Sequence, residues 1–201
     1  MRVIAGDAKG RKLVAPDVPG LRPTSDRVRE ATFDILEARE LVEGAAVLDL
    51  FAGSGALGIE ALSRGAGRVT FVEQDRRAVA AIEDNLARTG YLGSPGGRIV
   101  RGEVVVWAAA HGRGGGIDVV LADPPYDFAG FGQLLAQLDA PTVLIEHRSP
   151  VTVPVGYDVS REYRYGGTLV TLLEAAPVAQ QAADASVSPD LPDTDTDKDH
   201  A

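Results

Sequence analysis

The chain holds no cysteine, one methionine, one tryptophan and three histidines in 201 residues. Zero cysteine excludes disulfides and thiolate metal sites, and His111, His147 and His200 are too scattered to form a ligand cluster, so no metal is expected. No apolar run approaches the roughly 20 residues of a membrane span. The Met-Arg-Val-Ile start also lacks a signal-peptide core, so a cytoplasmic protein with no membrane partner is expected. No exposed apolar stripe stands out, which makes a monomer the expectation.

Net charge is −9, the wrong sign for a nucleic-acid protein until it is divided along the chain. Residues 1–29 carry Arg2, Lys9, Arg11, Lys12, Arg22, Arg27 and Arg29 against three Asp, a net +4. Residues 176–201 carry six Asp against Lys198, a net −5. The segregated basic end is the candidate phosphate-contact surface. The alternative is a solvated basic hairpin with no partner.

Three regions are expected. Residues 1–24 form a basic β-hairpin arm, with two short strands around the Gly6–Gly10 turn, broken off by Pro16, Pro19, Gly20 and Pro23 and standing outside the core. Residues 25–174 form the main domain. Residues 175–201, poor in bulky apolar residues and rich in Ala, Asp, Pro, Ser and Thr, form a disordered acidic tail.

The main domain opens with a helix capped by Thr24 or Ser25, whose apolar positions Val28, Ala31, Ile35 and Leu36 recur at helical spacing and whose basic face holds Arg27 and Arg29. From Ala45 strands and helices alternate: strands at 47–51, 68–72, 98–101, 117–122 and 142–146, with helices at 57–63, 76–88 and 131–138. A hairpin of 157–164 and 168–174 closes the sequence of elements. Repeated β-α units predict an α/β, doubly wound, Rossmann-like fold with a mostly parallel sheet and a C-terminal antiparallel hairpin.

Two strand ends carry chemistry. After the first strand, Gly53-Ser-Gly55-Ala-Leu-Gly58 fits Gly-x-Gly-x-x-Gly at a strand-to-helix turn, where backbone and an anionic ligand group approach closely. Glu73, 20 residues past Gly53, is placed to accept from ribose hydroxyls. Asp49 lies inside an apolar strand and needs a donor there. It either meets the ammonium of a cofactor such as S-adenosylmethionine or ties down N–H groups of its own loop. After the fourth strand, Asp123-Pro124-Pro125-Tyr126 forms a stiff slot in which an acceptor carboxylate and a flat ring suit an amino-bearing base.

With Asp49-x-Phe51-x-Gly53-Ser-Gly55, Glu73 and Asp123-Pro-Pro-Tyr in this order, the chain resembles class I S-adenosylmethionine-dependent methyltransferases acting on amino nitrogens. Arg2-Val-Ile-Ala-Gly, Lys9-Gly-Arg-Lys-Leu, Leu21-Arg-Pro-Thr-Ser-Asp-Arg-Val-Arg-Glu and the stretch from Leu48 to Gly65 are similar to the RsmD family over about residues 1–174. That resemblance implies methylation of the N2 amino group of a guanine in 16S ribosomal RNA, within a small-subunit assembly. It implies S-adenosylmethionine contacts at Asp49, Phe51, Gly53, Gly55 and Glu73, and target-base contacts at Asp123, the Pro124 carbonyl and Tyr126. Where such enzymes place a short acid or amide against adenine, this chain has Glu103, which is either an adenine contact or a helix N-terminal residue. Asp123 either positions the amino group or also takes its proton. RNA phosphates are expected along Arg2, Lys9, Arg11, Lys12, Arg22, Arg27 and Arg29.

Three other functions compete. A DNA amino-methyltransferase shares the Asp-Pro-Pro-Tyr slot but usually adds a recognition domain, for which there is no room. A nicotinamide-dependent oxidoreductase shares the glycine loop but leaves the slot unexplained. An RNA-binding assembly factor on a degenerate fold leaves both intact half-sites unexplained.

Overall fold

The alternating pattern folds, in a computed structural model that describes residues 1–18, 25–94, 96–148 and 150–177, into one seven-stranded sheet with helices on both faces. The elements run α1 (Asp26–Glu37), β1 (Ala46–Leu50), α2 (Ala56–Ser63), β2 (Arg68–Glu73), α3 (Arg76–Thr89), β3 (Gly97–Arg101), α4 (Val104–His111), β4 (Val119–Ala122), α5 (Phe131–Leu135), β5 (Thr142–His147), β6 (Tyr157–Tyr165) and β7 (Thr168–Ala175). Strand order is β3-β2-β1-β4-β5-β7-β6. The first five strands are parallel, and β7 lies antiparallel between β5 and β6. Strand order reverses between β1 and β4, and the crevice beyond their carboxyl ends is where open α/β sheets hold ligands.

Parallel strands buried on both faces need apolar side chains on both, and β1 and β4 are buried at every position. One face, with Val47, Phe71, Leu121 and Leu144, packs under α1, α2 and α3 through Phe33, Ile59 and Ile82. The other, with Leu48, Val72, Val120 and Ile145, packs under α4 and α5 through Val104, Ala108 and Leu134. Asp49 pairs in register with Phe71 and Leu121, so its carboxylate shares the face of α2.

The N-terminal segment differs from the expected arm. It does pair around the Gly6–Gly10 turn, but briefly: Arg2 bridges Lys12, the Val3 N–H donates to the Arg11 carbonyl (3.0 Å) and the Leu13 N–H to the Met1 carbonyl (3.1 Å). Val3, Ala8 and Leu13 are buried in the main core. Fully buried Glu60 of α2 accepts the N–H groups of Ile4 (2.8 Å) and Ala5 (2.9 Å), and Ser63 accepts that of Ala8 (3.0 Å). Asn85 of α3 both accepts from and donates to the Val14 backbone. Gly6 makes this approach possible: at φ 76° a Cβ there would lie 1.6 Å from the Ser63 carbonyl oxygen.

Ser25 caps α1 by accepting the Val28 N–H. Helix α4 is an addition to the expected elements, β4 begins two residues later than expected, and α5 ends at Leu135. At β4 the Asp118 carboxylate accepts the Ala46 N–H, which ends the ladder with a side chain. Strand β7 runs to Ala175, and the Ala176 N–H bonds the Gly156 carbonyl, so the ordered fold extends just past the expected boundary. The rest of the acidic tail, from residue 178, lies outside the described residues, as does Arg22.

Candidate active site

The carboxyl ends of β1, β2, β4 and β5 each deliver an acid to the crevice: Asp49, Glu73, Asp123 and Glu146. Asp49 is buried, and its Oδ2 accepts the Gly58 N–H at 2.8 Å. Burial drives its pKa well above the ordinary 3.8, nearby Asp123 and Glu73 push the same way, and the Gly58 N–H opposes them. The loop-tying role is therefore present in the fold. A buried carboxylate with raised affinity for a proton is also a seat for another cation.

Glu73 joins the next loop to the first. Its Oε2 accepts the Gly53 N–H at 2.9 Å and its Oε1 the Asp75 N–H at 2.9 Å, leaving each oxygen one lone pair for a ligand. Gly55 occupies the N-cap of α2 at φ 75°, a left-handed conformation without strain only for glycine, and no side chain caps that helix. Phe51, directly after β1, also has positive φ (58°), costly for a bulky residue and held here by packing. Its ring meets Phe128 edge-on at 4.9 Å, and Phe128 meets Phe131 of α5 at 5.1 Å. Glu103 is exposed and caps α4, accepting from Val105 (3.0 Å) and Val106 (2.7 Å), so its helix N-terminal role is realised.

Across the crevice, β4 runs out into Asp123 and buried Pro124. The Pro125 carbonyl accepts the Phe128 N–H at 2.9 Å, closing a turn that presents Tyr126 with 46 % of its surface exposed. Glu146, unremarked in the sequence, extends the Ala122–Ile145 register by one step and so stands beside Asp123. Burial and the Asp123 charge raise its pKa to about 8 against the opposing pull of Arg148. The guanidinium of Arg148 lies 4.1 Å above the Tyr126 ring. An acid near the end of an apolar strand was the available signal for Glu146, the same one that marked Asp49. Nothing local marks Arg148.

The expected phosphate contacts divide. Arg2, Lys9, Arg11, Lys12 and Arg27 are exposed. Arg2 and Lys9 line a cleft between the N-terminal segment and α1, where Asp26 and Glu30 offset them. Arg29 corrects the expectation: it is fully buried, and its Nη2 donates to the Arg2 carbonyl (2.6 Å) and Asp26 (2.9 Å). Its Nε lies 3.5 Å from Glu60, an ion pair without hydrogen-bond alignment. A buried guanidinium committed to internal partners contacts no phosphate; it pins α1 and the N-terminal segment to α2.

A doubly wound sheet with a glycine loop, strand-end acids and an Asp-Pro-Pro-Tyr turn across the switch point defines a Rossmann-like methyltransferase. The chain belongs to the family whose model, described as Conserved hypothetical protein 95, matches residues 1–174, and the RsmD resemblance is thereby met. It is 36 % identical over 194 residues, 92 % of this chain and 94 % of the relative, to the ribosomal RNA small subunit methyltransferase D of Escherichia coli. It is 39 % identical over 128 residues, 64 % of this chain and 65 % of the relative, to the protein of that name from Haemophilus influenzae. A solved Thermus thermophilus structure described as a hypothetical protein superposes with a TM-score of 0.72 at 35 % identity, covering 87 % of this chain and 99 % of the other.

Proposed function

We propose that the protein transfers a methyl group from S-adenosylmethionine to the N2 amino group of a guanine in 16S ribosomal RNA, acting in the cytoplasm as a monomer on a small-subunit assembly. The observation that carries this reading is the pairing of two half-sites over one crevice: the Asp49–Gly58 and Glu73–Gly53 links on one side, the Asp123–Tyr126 turn on the other. Its RNA component rests on the near full-length similarity to a small-subunit rRNA methyltransferase.

The donor set fits the cofactor. Asp49, raised in pKa by burial and two neighbouring acids, suits its cationic amino-acid end. Glu73 has lone pairs left for ribose hydroxyls, Gly53 and Gly55 allow close approach, and Phe51 adds an apolar wall. The adenine would lie against the β3–α4 turn, where Glu103 keeps one lone pair per oxygen beyond its cap. When bound, the cofactor would supply an electrophilic methyl: the nitrogen–carbon bond would form as the sulfur–carbon bond breaks, sulfur would keep that electron pair, and the surplus N2 proton would pass to the Asp123 carboxylate or to water.

The protein's own part is positioning. The target base must leave its stack to reach the crevice. Stacking on Tyr126 contributes roughly 1–3 kcal/mol toward that cost. Asp123 and the Pro124 carbonyl accept the two amino protons and aim the nitrogen, and alignment is the main catalytic device. Arg2, Lys9, Arg11, Lys12 and Arg27 hold the RNA backbone, with Arg22 beyond the described residues completing the set.

The test is to map which nucleotide of 16S rRNA loses its methyl group when the gene is removed, and to restore it with purified protein. Loss and restoration at one guanine N2 are expected. An unchanged methylation pattern would sink the reading. Asp123→Ala should abolish transfer of radiolabelled methyl while calorimetry still detects cofactor binding, and retained turnover would refute the role of Asp123.

A further inference from the structure

The base slot has a basic flank that the sequence motifs leave unassigned. Arg148 follows the last residue of β5, and its guanidinium carbon lies over the Tyr126 ring, 4.1 Å from its centre. Stacking uses the flat face of a guanidinium and leaves its edge donors able to grip a phosphate in bidentate fashion. An aromatic ring has two faces, so Arg148 backs one and leaves the other to a base.

Sheet register shows what lies next to Arg148. His147 pairs with Leu169 of β7, Leu169 pairs with Arg164 of β6, and one step nearer the hairpin tip Thr168 pairs with Tyr165. The β6–β7 tip therefore stands at the crevice end of the sheet. Two strand spacings, roughly 10 Å, separate the line of β5 from that of β6. Tyr165 is half-buried and packed against the main core. From the slot outward the crevice end of the sheet thus offers Tyr126, Arg148 and Tyr165: ring, cation, ring. That alternation suits single-stranded nucleic acid, whose bases stack on rings while cations track its backbone.

We propose that Arg148 and Tyr165 form a second RNA-contact surface, which takes the phosphate and the unpaired base flanking the flipped nucleotide. The proposal deepens the RNA-methyltransferase reading and rests on it. It places the flanking nucleotide on the β6–β7 side of the slot, away from the N-terminal segment. Arg148 has a double task there, backing the ring on which the target stacks and gripping the adjoining phosphate.

The experiment uses the full chain with two probes: transcribed 16S rRNA, and small subunits from cells lacking the gene. Equilibrium binding without cofactor is measured over a series of salt concentrations, alongside KM and kcat for methyl transfer. Arg148→Ala should weaken RNA binding about five- to tenfold and lower the salt slope by about one, with KM rising more than kcat falls. Arg148→Lys should restore the slope but not the full affinity, since it keeps the charge and loses the stacked fork. Tyr165→Ala should weaken binding without changing the slope. Cofactor affinity, read by calorimetry, should stay at the wild-type value in each variant and so confirms the fold. Variants that bind both probes within twofold of wild type with unchanged slopes overturn the inference alone. Wild-type protein that binds neither probe overturns the RNA reading and the inference with it.

Discussion

The Phe51 ring lies edge-on to Phe128 at 4.9 Å, and this contact joins the two halves of the crevice. Phe51 directly follows the strand that carries Asp49, and Phe128 closes the turn that carries Tyr126. The left-handed backbone at Phe51 persists because Phe128, itself packed on Phe131, holds the ring. Phe128→Ala should cost roughly 2 kcal/mol, less than a fully buried phenylalanine, because Phe128 is only partly buried. It should also weaken cofactor binding, although Phe128 sits on the base side. Chemical denaturation and calorimetry on one sample check both; an unchanged cofactor affinity would uncouple the two half-sites.

Asp49 links cofactor binding to protons. Its carboxyl is pushed upward mainly by burial, so in the free protein it holds its proton to a higher pH than an ordinary aspartate does. A cationic ligand favours the ionised form, so binding releases a proton and apparent affinity rises with pH. Calorimetry in buffers of different ionisation enthalpy should show net proton release, which Asp49→Asn removes while weakening binding about tenfold, or about 1.4 kcal/mol. Identical heats across the buffers would contradict this.

Glu146 makes stability depend on pH in the opposite sense to a salt-bridged acid. Its pKa rises from an ordinary 4.5 to about 8, so between these values the folded protein binds more protons than the unfolded chain. Its stabilising protonation is therefore fully present below about 4.5 and lost as pH climbs through 8. The groups that set this are Asp123 and Arg148, which act on its charge, and apolar Val170, its partner on β7. Glu146→Gln should flatten the decline, a difference on the order of a few kcal/mol at most, in denaturation series at pH 5, 7 and 9. An equally steep decline in the variant would remove Glu146 as its source.

Glu60 organises the basic end of the molecule. It accepts from Ile4, Ala5 and Arg64 and lies 3.5 Å from the Arg29 Nε. Removing it leaves buried Arg29 with half-exposed Asp26 as its ionic partner and takes the acceptor from the Ile4 and Ala5 N–H groups, so Glu60→Ala should destabilise by about 3 kcal/mol. Arg29→Ala should also lower stability, while the salt slope of RNA binding, read from the folded fraction, stays at the wild-type value because no phosphate contact is lost. A reduction of that slope by about one would return Arg29 to the RNA surface.

The strands and amphipathic helices were legible because burial on a sheet face or a helix stripe forces a period onto the sequence. Helix α4 escaped because Val104-Val-Val-Trp-Ala-Ala-Ala-His is apolar without a stripe and opens with β-branched residues that read as strand. Its start was visible only as Glu103, whose two possible roles the sequence left open. The N-terminal segment escaped for another reason. It is held by backbone N–H groups on the side chains of Glu60, Ser63 and Asn85 and by burial of Val3, Ala8 and Leu13, which follow neither a strand nor a helix period. Arg29 looked like part of a solvated basic face because its partner, Glu60, lies 31 residues away in another helix.

The stitching of the N-terminal segment onto α2 and α3 sets an order of events during synthesis. Ile4 and Ala5 await Glu60, 56 and 55 residues later, and Val14 awaits Asn85, 71 residues later. At about 5–20 residues per second, translation separates these partners by several seconds. The segment that carries Arg2, Lys9, Arg11 and Lys12 is thus made before the helices that hold it, and it can reach its final contacts only once Glu60 and Asn85 have been added.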